Sequence, residues 1–395
     1  MPRDLFRMPV MIRIATASVV LASTALGLLT VFKIPDWLDW KWTVLACSFG
    51  YGFAVFPLGA AALNGVVNGW RSTFSAVLCA VALTAFCLLC QPCIAAWSIG
   101  RSLPARLARQ FGPAEMPAGP FSFLGLFRPW PAHAAFTTWT YRDPLQLDFY
   151  PAAGRHNAPC VVVIHGGGWN DGDRGQVRQF NDWLASRGYA VADISYRLAP
   201  GAVWPEQRGD VAAALAFIRK QAKPWDIDAS RLVLLGRSAG GQIAEACAYG
   251  LHDPSIRGVI GLYAPADMRF AWKWGRPDDA LDSPKLLKDF LGGTPETAGA
   301  AYDSSSGLFL AGPKSPPTLL VHGTIDTLVW VLHSRNLHAK LTGDRVPNVL
   351  LELPWATHAL EFNLSSPSGQ LCTYATGWFL DCVCREPPVA LSGPR

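Results

Sequence analysis

The chain has 395 residues, half of them hydrophobic and only 16% charged, with a net charge of +5. Soluble proteins average about 25% charged residues, so the composition argues against a wholly soluble chain. Residues 1–110 carry nine Lys/Arg against three Asp, a net +6, which leaves −1 for the remainder. A nearly neutral remainder does not suggest a nucleic-acid binder, which needs a basic stripe.

The first 100 residues are read as three transmembrane helices. Residues 14–32, 42–70 and 72–100 carry no charge, and a bilayer core takes about 20 apolar residues per helix. The spans are expected near 12–32, 43–63 and 73–97. Trp37, Trp40 and Trp42 cluster between the first two, where indoles favour the headgroup layer. No clean cleavage site follows the first span, which argues against a signal peptide. An odd number of spans puts the two ends of this segment on opposite sides. The basic residues divide almost evenly, so the side facing the later part of the chain stays open.

Of the ten cysteines, five fall in this apolar part. Cys90 and Cys93 have CxxC spacing but no second ligand pair, so they read as small apolar residues of a bundle rather than a metal or redox site. Neither a metal nor a cofactor is expected.

Residues 101–135 are read as a juxtamembrane connector. "RSLPARLARQF" suits a short basic amphipathic helix on the membrane surface. The Pro-, Gly- and Phe-rich run after it reads as irregular, its aromatics either grazing lipid or packing on the next domain.

From 136 to 385 the pattern becomes that of a catalytic α/β domain. "TTWTYR" and "LQLDFYP" alternate as antiparallel strands do. "CVVVIHG" is a continuous apolar run, suited to a strand buried on both faces. Helix "RQFNDWLASRG", strand "YAVADISYR", helix "RGDVAAALAFIRKQA", strand "RLVLLG", helix "GGQIAEACAYGL" and strand "GVIGLYA" follow. After an irregular region come strand "PTLLVHG", a helix around 333–342, strand "NVLLELP" and a helix around 369–384. Such alternation gives a mostly parallel sheet with helices on both faces. Residues 386–395 read as a disordered tail.

Within this domain, "RLVLLG" runs into Gly236-Arg237-Ser238-Ala239-Gly240, a G-x-S-x-G between a strand and a helix. That context presents Ser238 on a sharp turn at a helix N-terminus, where the dipole favours developing negative charge. A serine hydroxyl needs a base to take its proton, and here acid and histidine should follow the serine in that order. Asp326 lies just past strand "PTLLVHG", and His358 just past strand "NVLLELP". Both loops are at carboxyl ends of strands, on the edge where sites in such sheets form. Asp210, the rival acid, precedes the serine and reads as a brace. His322 reads as bracing a turn, His333 and His338 as helical, and His165 as bonding backbone in its own loop. His133, His156 and His252 lie in the connector or in polar turns. Three consecutive glycines in "HGGGW" leave the strand that begins the parallel part of the sheet. Glycine costs roughly 0.5–1 kcal/mol in regular structure, so the loop is read as presenting backbone. Gly166 and Gly167, with Ala239, are expected to donate N–H groups to an oxyanion.

Taken together, "HGGGW", "YRLAP", "GRSAGG", "HGTIDTLV" and "THALEF" resemble the carboxylesterase branch of the α/β-hydrolases, especially the hormone-sensitive-lipase-like and related bacterial esterases. The resemblance covers about 136–384. It implies an α/β-hydrolase fold, a Ser238–Asp326–His358 triad, an oxyanion hole of Gly166, Gly167 and Ala239, and a cap insertion at about 265–315. Arg237 departs from the Asp or His that related esterases commonly carry before the serine. The apolar N-terminus is similar to that of membrane-anchored bacterial members and of prenylcysteine methylesterases. The expected function is therefore a multi-pass, bacterial inner-membrane serine hydrolase acting on small-molecule or lipid esters through an acyl-enzyme. An amidase, peptidase or deacetylase on the same triad, and a catalytically silent membrane scaffold, are the alternatives. Oligomeric state is left open.

Overall fold

The computed structural model describes residues 4–34 and 39–385. Trp37 and the tail expected at 386–395 lie outside the described residues. The first helices are α1 (Asp4–Leu28), α2 (Lys41–Phe53), α3 (Val55–Asn68) and α4 (Thr73–Phe111). Among the described residues, α1 and α4 are each long and apolar enough to cross a membrane, whereas α2 and α3 meet that test only as a pair bent by 52°. The single straight span expected at 43–63 is thus broken at Ala54. Pro57 accounts for the break: it has no N–H for the Phe53 carbonyl, and its ring crowds that group. On the far side of the bend α3 joins α1 and α4 in a bundle centred on Val20, Ala61, Leu78 and Ala82. On the near side α2 turns to the α/β domain and buries Thr43, Ala46, Cys47 and Ser48.

The boundary expected at residue 100 falls inside α4, which runs on to Phe111. Ile99, Leu103, Leu107 and Phe111 recur every fourth residue, which puts them on one helix face. That face joins the core beneath the sheet, with Leu103 and Leu107 fully buried. Arg106 donates to the Leu350 carbonyl at 2.7 Å, and Phe111 meets Phe379 edge-on at 4.9 Å. The basic stretch is therefore the docked end of a long helix, not a separate helix on the membrane surface. In the irregular run that follows, Phe121 packs into the same core. Phe123, Leu124 and Phe127 stay exposed on and beside a 3₁₀ turn.

The α/β domain is built on an eight-stranded sheet, in the order β1-β2-β4-β3-β5-β6-β7-β8. Its elements in chain order are β1 (Thr137–Arg142), β2 (Leu145–Tyr150), β3 (Ala158–Ile164), α5 (Arg178–Ser186), β4 (Ala190–Ile194), α6 (Glu206–Lys220), β5 (Ile227–Arg237), α7 (Ala239–Gly250) and β6 (Ile256–Leu262). Then come α8 (Met268–Trp274), α9 (Ser283–Leu291), α10 (Gly299–Ser305), α11 (Gly307–Leu310), β7 (Thr318–Gly323), α12 (Leu332–Gly343), β8 (Asn348–Leu353) and α13 (Pro367–Val383). β1 and β2 form the antiparallel edge, and β3 to β8 are parallel. β3 is buried at every position, as a strand covered on both faces must be. The short helices α8 to α11 fill the interval between β6 and β7 and sit over the carboxyl edge of the sheet.

Candidate active site

Ser238 sits between β5 and α7 with φ 52° and ψ −121°. A non-glycine residue in such a conformation stores roughly 1–3 kcal/mol and persists only where its surroundings over-determine it. They do so here. A Cβ on Gly236 would collide with the Gly240 backbone, one on Gly240 with the carbonyls of Ile164 and His165, and one on Gly241 with Ala264. The small residues let α7 leave the strand at once and hold the serine at the carboxyl edge.

Asp326 and His358 meet in the loops after β7 and β8. His358 Nδ1 donates to Asp326 Oδ2 at 2.7 Å, which leaves Nε2 free to accept a proton. The other carboxylate oxygen accepts the N–H groups of Leu328 and Val329 at 2.9 and 3.0 Å. Burial works against the charge on Asp326, but His358 and His322 outweigh it and hold the carboxyl well below the ordinary range. His322 donates from Nε2 to the Val329 carbonyl at 2.9 Å and accepts from Ser334 at 2.7 Å, with Nε2 3.6 Å from Asp326. It therefore braces the acid loop. Asp210 is bound by Arg142 and Arg197.

Gly166 departs from its expected role, because its N–H donates to Gln176 Oε1 at 2.7 Å and is not free for an oxyanion. Gly167 follows with φ 113° and Gly168 with φ 58°, and a Cβ on Gly167 would collide with the Asp171 carbonyl. The loop turns so tightly that the Gln176 side chain takes the first amide, while Gly168 and Ala239 line the same cavity as Ser238. His165 Nδ1 donates to the Gly166 carbonyl at 2.7 Å, its ring stacks on Tyr196, and its own carbonyl accepts from the Tyr196 hydroxyl at 3.2 Å.

That cavity has a volume of about 430 Å³, within the roughly 300–1,000 Å³ of small-molecule sites. Its walls are mostly apolar: Trp169 from the glycine loop, Phe270 and Trp274 from α8, Leu286 and Leu287 from α9, and Trp330 before α12. His333 also lines it, edge-on to Phe270 at 4.9 Å. Burial, with His322 nearby, pushes His333 down to about 3, so it is a neutral wall.

Comparison with known proteins bears on the fold that carries this site. The family BD-FAE matches residues 147–341, a span that contains Ser238 and Asp326. The probable carboxylic ester hydrolase LipM of Mycobacterium tuberculosis is 27% identical over 63% of this chain and 61% of its own length. Esterase LipC of the same organism is 26% identical, over 58% and 59%. The chain thus spans about three fifths of the curated relatives it matches. Esterase LipW from Mycobacterium marinum aligns with a TM-score of 0.53 and 21% identity, covering 75% of this chain and 90% of that one. A truncated carbohydrate esterase from gut microbiota aligns at 0.54 and 21% identity, over 63% and 99%. At that identity the two structures speak for the fold alone.

The chain has the α/β-hydrolase fold and is similar to carboxylesterases built on it.

Two features of this α/β-hydrolase were not read from the sequence. Arg237, noted there only as a departure, is 1% exposed and donates through Nε to Glu361 Oε1 at 2.8 Å. Tyr263 donates to the same oxygen at 2.7 Å, and its ring lies 4.4 Å from that of His358. An ionic and aromatic chain thus ties the residue before Ser238 to the loop that carries His358. Glu361 stood three residues after His358 in "THALEF", but nothing local paired it with Arg237. The second feature is Trp40, whose ring meets His358 edge-on at 5.9 Å. It had been read as a headgroup-layer indole, since no sequence signal reports a contact across so much chain.

Proposed function

We propose that the protein is a membrane-anchored serine hydrolase of carboxylic esters. Ser238 Oγ attacks the ester carbonyl carbon while His358 Nε2 takes its proton. Asp326 holds the imidazole tautomer and offsets its positive charge. The proton then passes to the leaving alkoxide as the carbon–oxygen bond breaks. Water, activated by the same histidine, releases the acid from Ser238. Gly167 and Ala239 supply backbone N–H groups to the tetrahedral oxyanion, each worth roughly 3–4 kcal/mol to the transition state. Residues 136–385 form the catalytic unit, with 265–315 as its cap, and α1 and α4 cross the bilayer with α3 packed against them.

The observation that carries this reading is the strained Ser238 turn opening into an apolar cavity, with the Asp326–His358 pair on the same sheet edge. The names of the curated relatives support an ester as the substrate. The test is a panel of 4-nitrophenyl esters of increasing acyl length, run on the purified full-length protein in detergent. Saturable turnover, strongest where the acyl chain fills the cavity, is the expected result. Absence of turnover on every ester, beside hydrolysis of matched anilides, would replace the esterase reading with an amidase one.

A further inference from the structure

The candidate site touches the chain around the N-terminal helices at two places. Lys33, five residues past the end of α1, lies over the ring of Trp330 at 5.3 Å, and Trp330 is a cavity wall. Trp40, at the start of α2, meets His358. The chain leaving α1 and the chain starting α2 therefore stand on two sides of the reacting centre. α2 itself is bound to the histidine loop: Cys47 donates to the Trp355 carbonyl at 2.7 Å, and Asn363 donates to the Ser48 carbonyl at 3.0 Å.

This has a consequence for where the cavity opens. On the reading that α1 crosses the bilayer, its apolar run ends at Phe32, and Lys33 marks the surface of the hydrocarbon. Trp330 is thus one contact from that surface. Trp274 on the rim is 51% exposed and Trp42 beside Trp40 is 52% exposed, and indoles settle at the boundary between headgroups and acyl chains. Farther along, the exposed Phe127 packs edge-on to Tyr51 near the α2–α3 bend. A water-facing mouth would leave the exposed faces of these aromatic groups in water.

We infer that the cavity takes its ester from the bilayer: an amphiphile whose chain stays among the lipids while its ester group, at the boundary layer, enters beside Lys33 and Trp330. The N-terminal helices are then one wall of the active site as well as an anchor. This inference rests on the hydrolase reading. Its gain is one of local concentration, since a substrate confined to the bilayer surface meets the site far more often than its bulk concentration implies.

The test uses full-length protein in vesicles of ether-linked dialkylphosphatidylcholine, which offer no ester of their own. 4-Nitrophenyl palmitate is placed in the bilayer and 4-nitrophenyl butyrate in the water. At constant bulk ester, diluting the palmitate about tenfold with ether lipid is expected to lower its rate roughly five- to tenfold, with the butyrate rate unchanged. Trp274→Asp is expected to cut the palmitate rate several-fold more than the butyrate rate. A palmitate rate that ignores surface dilution, beside normal butyrate turnover, would overturn bilayer access alone. Loss of both activities in the wild-type protein would overturn the hydrolase reading and this inference with it.

Discussion

The sheet edge and the N-terminal helices meet at His358, but they hold their positions by different means. At the edge, geometry is enforced by backbone. Gly236, Gly240 and Gly241 each face atoms that a single Cβ would strike, so almost nothing there can move. On the helix side, α2 is held by side-chain packing, with Cys47 and Ser48 on the histidine loop and one aromatic edge on His358. Gly52 and Gly59, near the bend, face open space. Ser238 is thus built into a rigid scaffold, whereas the helical wall beside His358 is the more adjustable. Severe losses should follow changes at the edge, and graded, substrate-dependent losses changes at the wall.

Ser238→Ala is expected to reduce ester hydrolysis to background while the melting temperature holds or rises, because the strain at φ 52° serves the serine's function. Asp326→Asn should lower kcat by roughly three to four orders of magnitude through the wrong imidazole tautomer, with KM little changed. Asp210→Asn, which loosens only Arg142 and Arg197, should affect stability before kcat. The reverse pattern in steady-state kinetics would reassign the acid.

The next effect concerns the tie between the two loops. Glu361→Gln removes the carboxylate bonded to the buried Arg237 and should destabilise the protein by about 3–5 kcal/mol. The double change Arg237→Met with Glu361→Met should recover much of that loss in thermal unfolding. If the single change costs nothing, the pair does not hold the elbow to the histidine loop.

Deeper in the same region, Glu245 on α7 has both carboxylate oxygens buried without a hydrogen-bond partner. Burial raises it from an ordinary 4.5 up to about 8. Between those values the folded state keeps a proton that the unfolded state has lost, so stability falls as pH rises through the window and levels off above it. Glu245→Gln should abolish that slope, with its melting-temperature advantage growing from about pH 5 to about pH 8.

The smallest effect belongs to the adjustable wall. Trp40→Ala removes an edge contact worth about 0.5–1.5 kcal/mol, and should lower kcat several-fold with the global melting temperature nearly constant. Trp40→Phe should restore most of the rate. If both variants match wild type, α2 is packing only.

What could be read from the sequence follows the same division. The succession of strands and helices, the sharp turn at Ser238 and the meeting of Asp326 with His358 were legible because each rests on local pattern: continuous apolar runs, glycines at fixed offsets, and acid and histidine after successive strands. The bend at Ala54 had a local cause in Pro57, but the apolar run of 42–70 masked it, since composition alone cannot tell a straight span from a bent pair. The docking of α4 was also visible in part, as residues 99, 103, 107 and 111 repeat at helical spacing. The basic residues between them drew the reading to the membrane surface instead. Arg237–Glu361 and Trp40–His358 were not legible, because both contacts join segments more than 100 residues apart. Gly166 was misread because the demand on its N–H comes from the side chain of Gln176. These contacts also mean that a chain beginning at 137 would lose the cover that Leu103, Leu107 and Phe111 give to the core.

The most direct test of the central claim is covalent. Full-length protein is treated with a fluorophosphonate ester, digested, and the adduct located by peptide mass spectrometry. The account predicts a single phosphonylated residue, Ser238, with labelling slowed by Asp326→Asn and His358→Ala and stopped by Ser238→Ala. An adduct on a different residue, or ester hydrolysis that persists in Ser238→Ala, would contradict it.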